Sequence, residues 1–266
     1  MTGLWLLLGG LLCVVILVFW HAGKVERRRR ALRTLRLDER QRGIVIEAFP
    51  LWEEIPQEIR MRTEGWMHVF LAEKSFEACG GLAEVTEEMR LAIAAPACLL
   101  IANRPQDYYE RLRSILVYPD AFTVKDEYGT EDVHLGESWN HGSVVLSWQS
   151  VKQGDVNPDD GLNVVLHEFA HQIDQEDGAA DGVPELEEGA DYGKWSGAFL
   201  PAYHDFCERV NAGKRTVMDD YGAESPAEFF AVATETFFER AKGLKREEPE
   251  IHAELVKFYG MDPGAW

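Results

Sequence analysis

Gly161-Leu-Asn-Val-Val-Leu-His-Glu-Phe-Ala-His-Gln-Ile-Asp174 is the stretch around which this chain of 266 residues is organised. Its apolar residues recur at steps of three or four, which predicts a helix with one broad buried face; they are Leu162, Val165, Leu166, Phe169 and Ile173. His167 and His171 lie four residues apart, so on a helix both imidazoles point to one spot. A tetrahedral zinc ion accepts two nitrogen ligands in that arrangement. The stretch therefore indicates the metal-binding helix of a zinc hydrolase.

Glu168 follows the first histidine and is expected to project beside the pair, where it can take a proton from a water molecule rather than bind the metal. A chance occurrence of His-Glu-x-x-His is the alternative, because the chain has eight histidines and 46 acidic residues. A chance match would fall more often on a polar stretch. Here the polar groups interrupt an apolar helix, where their burial is costly unless something binds them. The context favours a metal site.

Charge is distributed unevenly along the chain, which has a net charge of −19. Residues 1–23 have no ionised side chain, residues 24–42 have nine basic and three acidic residues, and the remainder has 18 basic and 43 acidic residues. The strong negative charge of the residues after position 42 excludes nucleic acid as a partner. The four cysteines show no paired spacing, which argues against a disulfide framework or a cysteine zinc site and favours a reducing compartment.

The N-terminus has the pattern of a membrane anchor. Seventeen uncharged residues, from Leu4 to Trp20, are bracketed by tryptophans, and no basic segment precedes them as in a cleaved signal peptide. The basic run that follows would stay on the cytoplasmic side. We therefore expect a single-pass inner-membrane protein with a transmembrane anchor over residues 1–23. A basic juxtamembrane helix over residues 24–44 and a cytoplasmic catalytic domain over residues 45–266 would follow.

Helical patterns outnumber strands after residue 45. We expect helices within residues 55–78, 84–103 and 194–210, the second of them deeply buried and kinked or broken at Pro96. Strands are expected at residues 114–118, 122–124 and 143–148, with residues 136–142 as a loop. The sequence predicts an α+β fold, mainly helical with a small mixed sheet.

The last of these strands is joined to the motif helix by a linker that contains Gly154, Pro158 and Gly161, so strand and helix can lie close and antiparallel. In zinc peptidases an edge strand at this place typically offers backbone groups to an extended substrate. That argument assigns substrate binding to the strand, and in particular to Val144, Val145 and Leu146. An ordinary core strand is the alternative.

A catalytic zinc site needs a third protein ligand and leaves the fourth position open. Ser225 and Pro226 are typical of the start of a helix, and Glu228 and Glu235 would then occupy one face of an otherwise apolar helix. Glu228 is the preferred ligand, although Ser225-x-x-Glu228 also fits a capping box that needs no metal. Three other acids, in loop sequence after the motif, are alternatives as the third ligand: Glu176, Asp177 and Glu185.

These features together resemble the Mlc titration factor A family of zinc metallopeptidases, over about residues 45–262. The resemblance depends on six stretches: His167-Glu-Phe-Ala-His171 with Asp174, Tyr221-Gly, Pro226-Ala-Glu-Phe-Phe230, Thr86-Glu-Glu-Met-Arg, Val117-Tyr-Pro and Val144-Val-Leu-Ser-Trp. In its catalytic core the family is similar to the anthrax lethal factor protease domain, a gluzincin. The resemblance implies a zincin-like metallopeptidase fold.

For the site, the resemblance implies one zinc ion on His167, His171 and Glu228, with Glu168 as the general base and Tyr221 near the scissile group. It also implies aminopeptidase-like hydrolysis of peptides, with a peptide or protein as substrate. Enterobacterial members bind the glucose repressor Mlc, so a transcriptional regulator of the Mlc type is a further possible partner.

Two features depart from the family pattern. Many gluzincins have a second acid four residues after the glutamate ligand, but here that position is Val232, so Glu235 or Asp174 must orient a ligand histidine. The apolar N-terminus is also absent from the soluble family pattern. A second hypothesis, from another class of protein, is a membrane-tethered protein that sequesters a transcriptional repressor and uses zinc structurally, which would require a fourth side chain on the metal.

Overall fold

The computed structural model of the chain describes residues 2–104, 109–120, 122–125, 131–134, 136–139, 142–154, 161–186, 189 and 191–266. The described helices are α1 (Thr2–Arg33), α2 (Glu39–Ala48), α3 (Gln57–Glu73), α4 (Glu87–Leu100), α5 (Trp148–Gly154), α6 (Val164–Asp174), α7 (Tyr192–Asn211), α8 (Pro226–Glu239), α9 (Ala241–Glu247) and α10 (Pro249–Tyr259). The described strands are β1 (Ser75–Ala78), β2 (Ser114–Tyr118), β3 (Phe122–Lys125), β4 (Glu131–His134), β5 (Gly136–Trp139) and β6 (Ser143–Ser147). The prediction of a mainly helical α+β fold is confirmed.

Four of the strands form one small mixed sheet in the order β1-β2-β6-β5. β1, β2 and β6 are parallel, with Ser75 opposite Ser114 and Ser114 opposite Ser143, while β5 runs antiparallel to β6. β3 and β4 form a separate antiparallel pair. Because β5 packs beside α6, the antiparallel edge of the sheet lies next to the helix that bears the motif.

The core is built mainly by buried helices. α4 is apolar on nearly every side and is buried from Leu91 to Leu100. α6 contacts both α4 and α8, and α8 is buried from Phe229 to Glu239. Helices as apolar as these are held by packing on all sides, so the polar residues that they contain are held rigidly.

Several predicted elements match the structure and others do not, among them residues 75–78, which are expected from the sequence within a helical segment but form strand β1. The strand at residues 114–118 and the helix after Ser225 are confirmed. Residues 136–139 form strand β5 rather than part of a loop, because pairing with β6 outweighs their turn-rich composition. α4 passes through Pro96 without a break. His141 and Pro158 of the predicted loop and linker lie outside the described residues.

The predicted inner-membrane anchor is wrong. In the part of the chain that the structure describes, no helix combines the length and apolar character that are needed to cross a membrane. Seventeen apolar residues rise only about 26 Å, which falls short of a hydrocarbon core of about 30 Å. α1 then continues through the basic run to Arg33, and its C-terminal part packs on α3, where Arg29 pairs with Glu73 at 2.7 Å.

The expected edge position of residues 143–148 is also wrong. β6 lies between β2 and β5, so neighbouring strands occupy both of its backbone edges, and α5 begins at Trp148. Val144, Val145 and Leu146 are buried and belong to the core. Among the described strands, the one at the sheet edge beside α6 is β5.

Candidate metal centre

The N-terminus of α6 is fixed by Asn163. Its side-chain oxygen accepts hydrogen bonds from the backbone N–H groups of Val165 and Leu166, at 3.2 and 3.1 Å. These are donors that a helix start leaves unsatisfied. The cap fixes the first turn of the helix, so His167 and His171 occupy defined positions on successive turns, with ring centroids 4.8 Å apart.

Glu228 reaches the histidines from the first turn of α8. Ser225 caps this helix by accepting a hydrogen bond from the Glu228 N–H at 3.1 Å. The Glu228 side chain does not complete a capping box, because its Oε2 lies 3.0 Å from His167 Nε2 and 3.2 Å from His171 Nε2. Of the other acids considered, Glu176 pairs with Arg104, and the Asp177 side chain accepts from the Ala179 N–H.

The three donor atoms form a triangle that fits a metal ion. The two Nε2 atoms are 3.2 Å apart, and each is 3.0–3.2 Å from Glu228 Oε2. Ligand atoms about 2.0–2.1 Å from a tetrahedral zinc ion lie about 3.3 Å from one another. Among the described residues, these three form the one cluster of histidine, cysteine and acidic side chains that could hold a metal.

Glu235 is hydrogen-bonded to His167 and to the start of α6. One carboxylate oxygen accepts from His167 Nδ1 at 2.7 Å, and the other accepts from the Asn163 N–H at 2.6 Å. A histidine that donates through Nδ1 presents Nε2 to a metal. Glu235 stands seven residues after Glu228, so two turns of α8 supply both carboxylates.

The protonation of this cluster reflects its charges. Burial alone would lower the pKa of His167, but the carboxylates of Glu235 and Glu228 outweigh burial and raise that pKa well above its usual range. Burial would raise the pKa of Glu228, but hydrogen bonds from both histidines lower it to about 2. Burial raises the pKa of Glu235, and the charge of His167 only partly offsets that effect. Without a metal the cluster therefore attracts a proton, and a bound cation would replace it.

Glu168 and Tyr221 lie near the same point. Glu168 is buried on α6, and its charge raises the pKa of both His167 and Tyr221. The Tyr221 ring lies 5.8 Å from the His167 ring and is 47% exposed. Burial, followed by the charges of Glu228 and Glu224, raises the pKa of Tyr221 to about 12. Its hydroxyl thus stays protonated and can donate a hydrogen bond at neutral pH.

Asp174 is not hydrogen-bonded to either histidine. Its Oδ2 accepts from the Gly182 N–H at 2.9 Å, and it is fully buried at the end of α6. The sequence patterns do not predict Asn163 or Gly182 as site residues. Asn163 could have been found as an N-cap before an apolar run, whereas Gly182 has no local signal because its partners are distant in sequence.

Comparisons with known proteins point to a family of metallopeptidases. An uncharacterised protein of Synechocystis is 36% identical over 262 residues, which cover 95% of each chain. Mlc titration factor A of Serratia proteamaculans is 30% identical over 228 residues, with 81% of this chain and 85% of that protein covered. The protein of the same name in Cronobacter sakazakii is 28% identical, with 81% and 84% covered. Residues 24–260 match the model of the glucose-regulated metallopeptidase M90 family. The chain therefore belongs to the M90 metallopeptidases, the family of the Mlc titration factor A proteins.

Proposed function

We propose that this protein is a zinc-dependent peptidase with aminopeptidase-like activity, and that His167, His171 and Glu228 hold one zinc ion. The observation that carries the proposal is the triangle of donor atoms, with sides of 3.0–3.2 Å. Two imidazoles and one carboxylate are a ligand set typical of catalytic zinc. When bound, zinc would supply an activated water and polarise the scissile carbonyl.

The side chains around the triangle would divide the remaining work. Glu168 would take a proton from the attacking water and deliver it to the leaving amine. Tyr221 would donate a hydrogen bond to the oxygen that becomes negatively charged as the carbonyl is attacked. Glu235 would keep His167 Nε2 directed at the metal, which its hydrogen bond to Nδ1 supports.

We propose that an extended peptide binds along β5 rather than β6. Both backbone edges of β6 are occupied, whereas β5 is at the edge of the sheet as described and lies next to α6. Pairing with this edge would hold the substrate backbone by hydrogen bonds whatever its sequence. Substrate binding predicted for Val144, Val145 and Leu146 would then be indirect, through their support of β5.

Preference for a free N-terminus has one physical support besides the resemblance. The carboxylates of Glu168, Glu224 and Glu228 all act on the Tyr221 hydroxyl. A bound zinc ion would offset two of these three negative charges, and the one that remains favours a substrate with an α-ammonium group close to the scissile bond. We therefore expect hydrolysis of aminoacyl chromogenic substrates and weaker hydrolysis of their N-acetylated forms.

The rival hypothesis is a protein that sequesters a regulator and uses zinc structurally. A structural zinc site is closed by four side chains, but three meet in the part of the chain that the structure describes. The open position favours catalysis. A regulator of the Mlc type stays a proposed partner, suggested by the names of the relatives from Serratia and Cronobacter.

The decisive experiment measures zinc-dependent hydrolysis by the full chain. Aminoacyl p-nitroanilides should be cleaved, a chelator should abolish cleavage, and added zinc should restore it. Glu168→Gln should keep zinc and lose about 10²–10⁴-fold in turnover, as expected for loss of a general base. His171→Ala should lose both zinc and turnover. A metal-free native protein, or full activity in Glu168→Gln, would contradict the proposal.

A further inference from the structure

Asp174 has an environment that the predicted role of orienting a histidine does not explain. It is the last residue of α6, three residues after His171, and its side chain is fully buried. One carboxylate oxygen accepts from the Gly182 N–H at 2.9 Å, and the other has no hydrogen-bond partner among the described residues. Burial of a carboxylate is costly, and here its one hydrogen bond among the described residues is to a backbone N–H. This suggests that the carboxylate serves to fix the position of that N–H.

Gly182 fills a junction of three helices. Its N–H is held by Asp174 at the end of α6, and its carbonyl oxygen accepts from Trp195 Nε1 of α7 at 3.3 Å. Its third neighbour is Pro226, the first residue of α8: a Cβ added at Gly182 would lie 2.3 Å from the Pro226 carbonyl oxygen. Its φ of +78° is in the left-handed region. Only a residue without a side chain allows this approach.

The junction lies at one end of the helix pair that bears the three candidate metal ligands. α6 and α8 run antiparallel, because Asn163 and His167 meet Glu235 at one end and His171 meets Glu228 near the other. At the first end, Glu235 links α8 to α6 by its hydrogen bonds with Asn163 and His167. At the second end, the path from Asp174 through Gly182 reaches Pro226, two residues before Glu228. Since a packed helix moves as a rigid body, a shift at Pro226 would move the Glu228 carboxylate.

We propose that Asp174 is a positioning residue for Glu228: through Gly182 it sets the distance between the start of α8 and the two histidines. The inference rests on the proposed metal centre and deepens it. Asp174 would touch neither metal nor substrate, and its effect would appear in the affinity and geometry of the metal rather than in the chemistry of Glu168.

The first test compares two glycine variants of the full chain. Gly182→Ala places a methyl group against Pro226, whereas Gly189→Ala adds a methyl group that has no described heavy atom within 4 Å. Both glycines have a positive φ, so both variants suffer the same kind of backbone strain. Zinc affinity, measured by chelator competition, should fall at least tenfold in Gly182→Ala and less than threefold in Gly189→Ala. The visible bands of the Co²⁺-substituted protein should change in Gly182→Ala alone. Equal zinc affinities in the two variants would overturn the proposal.

The second test separates the hydrogen bond from the charge, and it decides the question if Gly182→Ala does not fold. Asp174→Asn keeps an oxygen that can accept from the Gly182 N–H, whereas Asp174→Ala removes it. We expect about a tenfold loss of zinc affinity in Asp174→Ala and less than a threefold loss in Asp174→Asn. If both variants lose affinity equally, or neither does, Asp174 does not act through Gly182.

The parent protein separates this inference from the proposed function. If the parent does not bind zinc or Co²⁺, the metal centre itself is wrong. If the parent binds zinc tightly and the Gly182 and Asp174 variants bind it as tightly, the metal centre stands and only the positioning role fails.

Discussion

Glu235 makes two hydrogen bonds that only a carboxylate can make together. It accepts from His167 Nδ1 with one oxygen and from the Asn163 N–H with the other. In Glu235→Gln one oxygen becomes an NH₂ group, so one of the two donors faces another donor whichever way the amide is turned. Loss of such a supporting hydrogen bond typically weakens metal binding 10–100-fold. We therefore expect zinc affinity in Glu235→Gln to fall by about that factor, as measured by chelator competition.

Glu250→Gln is the matched control for this prediction. Glu250 is an exposed carboxylate on α10, so the same chemical change should leave zinc affinity within about twofold. Unchanged zinc affinity in Glu235→Gln would mean that the carboxylate is not needed to direct His167. Glu235 would then lie beside His167 because of helix packing alone, without a role in metal binding.

Tyr221 can be tested separately from the metal ligands. Its pKa of about 12 keeps the hydroxyl protonated throughout the working pH range, so it can donate a hydrogen bond to a developing negative charge. Tyr221→Phe removes that donor and should lower kcat about 10²–10³-fold with little change in KM or zinc affinity. Tyr192→Phe, at a tyrosine 48% exposed, should leave kcat unchanged. A fall in zinc affinity without a fall in kcat would assign Tyr221 to the support of His167 instead.

At the scale of the helix, the buried carboxyl of Asp174 at the end of α6 makes the free energy of unfolding of the protein depend on pH. Burial raises its pKa from 3.8 to about 6, although the Gly182 N–H acts in the opposite direction. The folded protein therefore binds the proton more tightly than the unfolded chain. The stabilisation of the folded state by the protonated Asp174 carboxyl is fully present below pH 3.8, and it is lost as the pH rises through about 6. The difference corresponds to about 3 kcal/mol, at 1.36 kcal/mol per pKa unit.

Asp174→Asn should remove this penalty while it keeps the hydrogen bond. The free energy of unfolding of the metal-free protein should rise by about 3 kcal/mol at pH 8 and by about half as much at pH 5. Urea unfolding at the two pH values measures both quantities. An equal change at pH 5 and pH 8 would show that Asp174 does not change its protonation between them.

Local pattern predicted the two helices of the site better than it predicted their surroundings. The spacing of His167 and His171, and of Glu228 and Glu235, follows from helical periodicity, and the caps on both helices are local signals. Strand β5 could not be predicted, because residues 136–139 have a turn-rich composition and their state depends on pairing with β6. The contact of Gly182 with Pro226 depends on the path of a loop between distant helices. Interactions between residues far apart in sequence leave no local trace.

At the scale of the whole molecule, the segment before residue 45 is divided between an exposed part and a packed part. Leu11, Leu17 and Phe19 on α1 are each more than 60% exposed. Farther along, Arg33 lies over the Trp66 ring of α3 at 4.7 Å, and Leu37 is only 4% exposed. We therefore propose that the folded body begins well before residue 45 and that the first part of α1 contributes little to its stability.

Two truncations test this division. Removal of residues 1–20 should leave the urea unfolding midpoint unchanged, because the side chains that the structure describes in this segment are exposed to solvent. Removal of residues 1–44 also removes Leu37, whose burial contributes about 1.5–3 kcal/mol, and takes away more than half of the ten residues of α2. We expect the second truncation to lower the free energy of unfolding by about 3 kcal/mol or more. Urea unfolding monitored by circular dichroism measures both truncations. If both truncations unfold at the same urea concentration, the packing of residues 21–44 on α3 does not stabilise the body, and residues 45–266 form the folding unit by themselves.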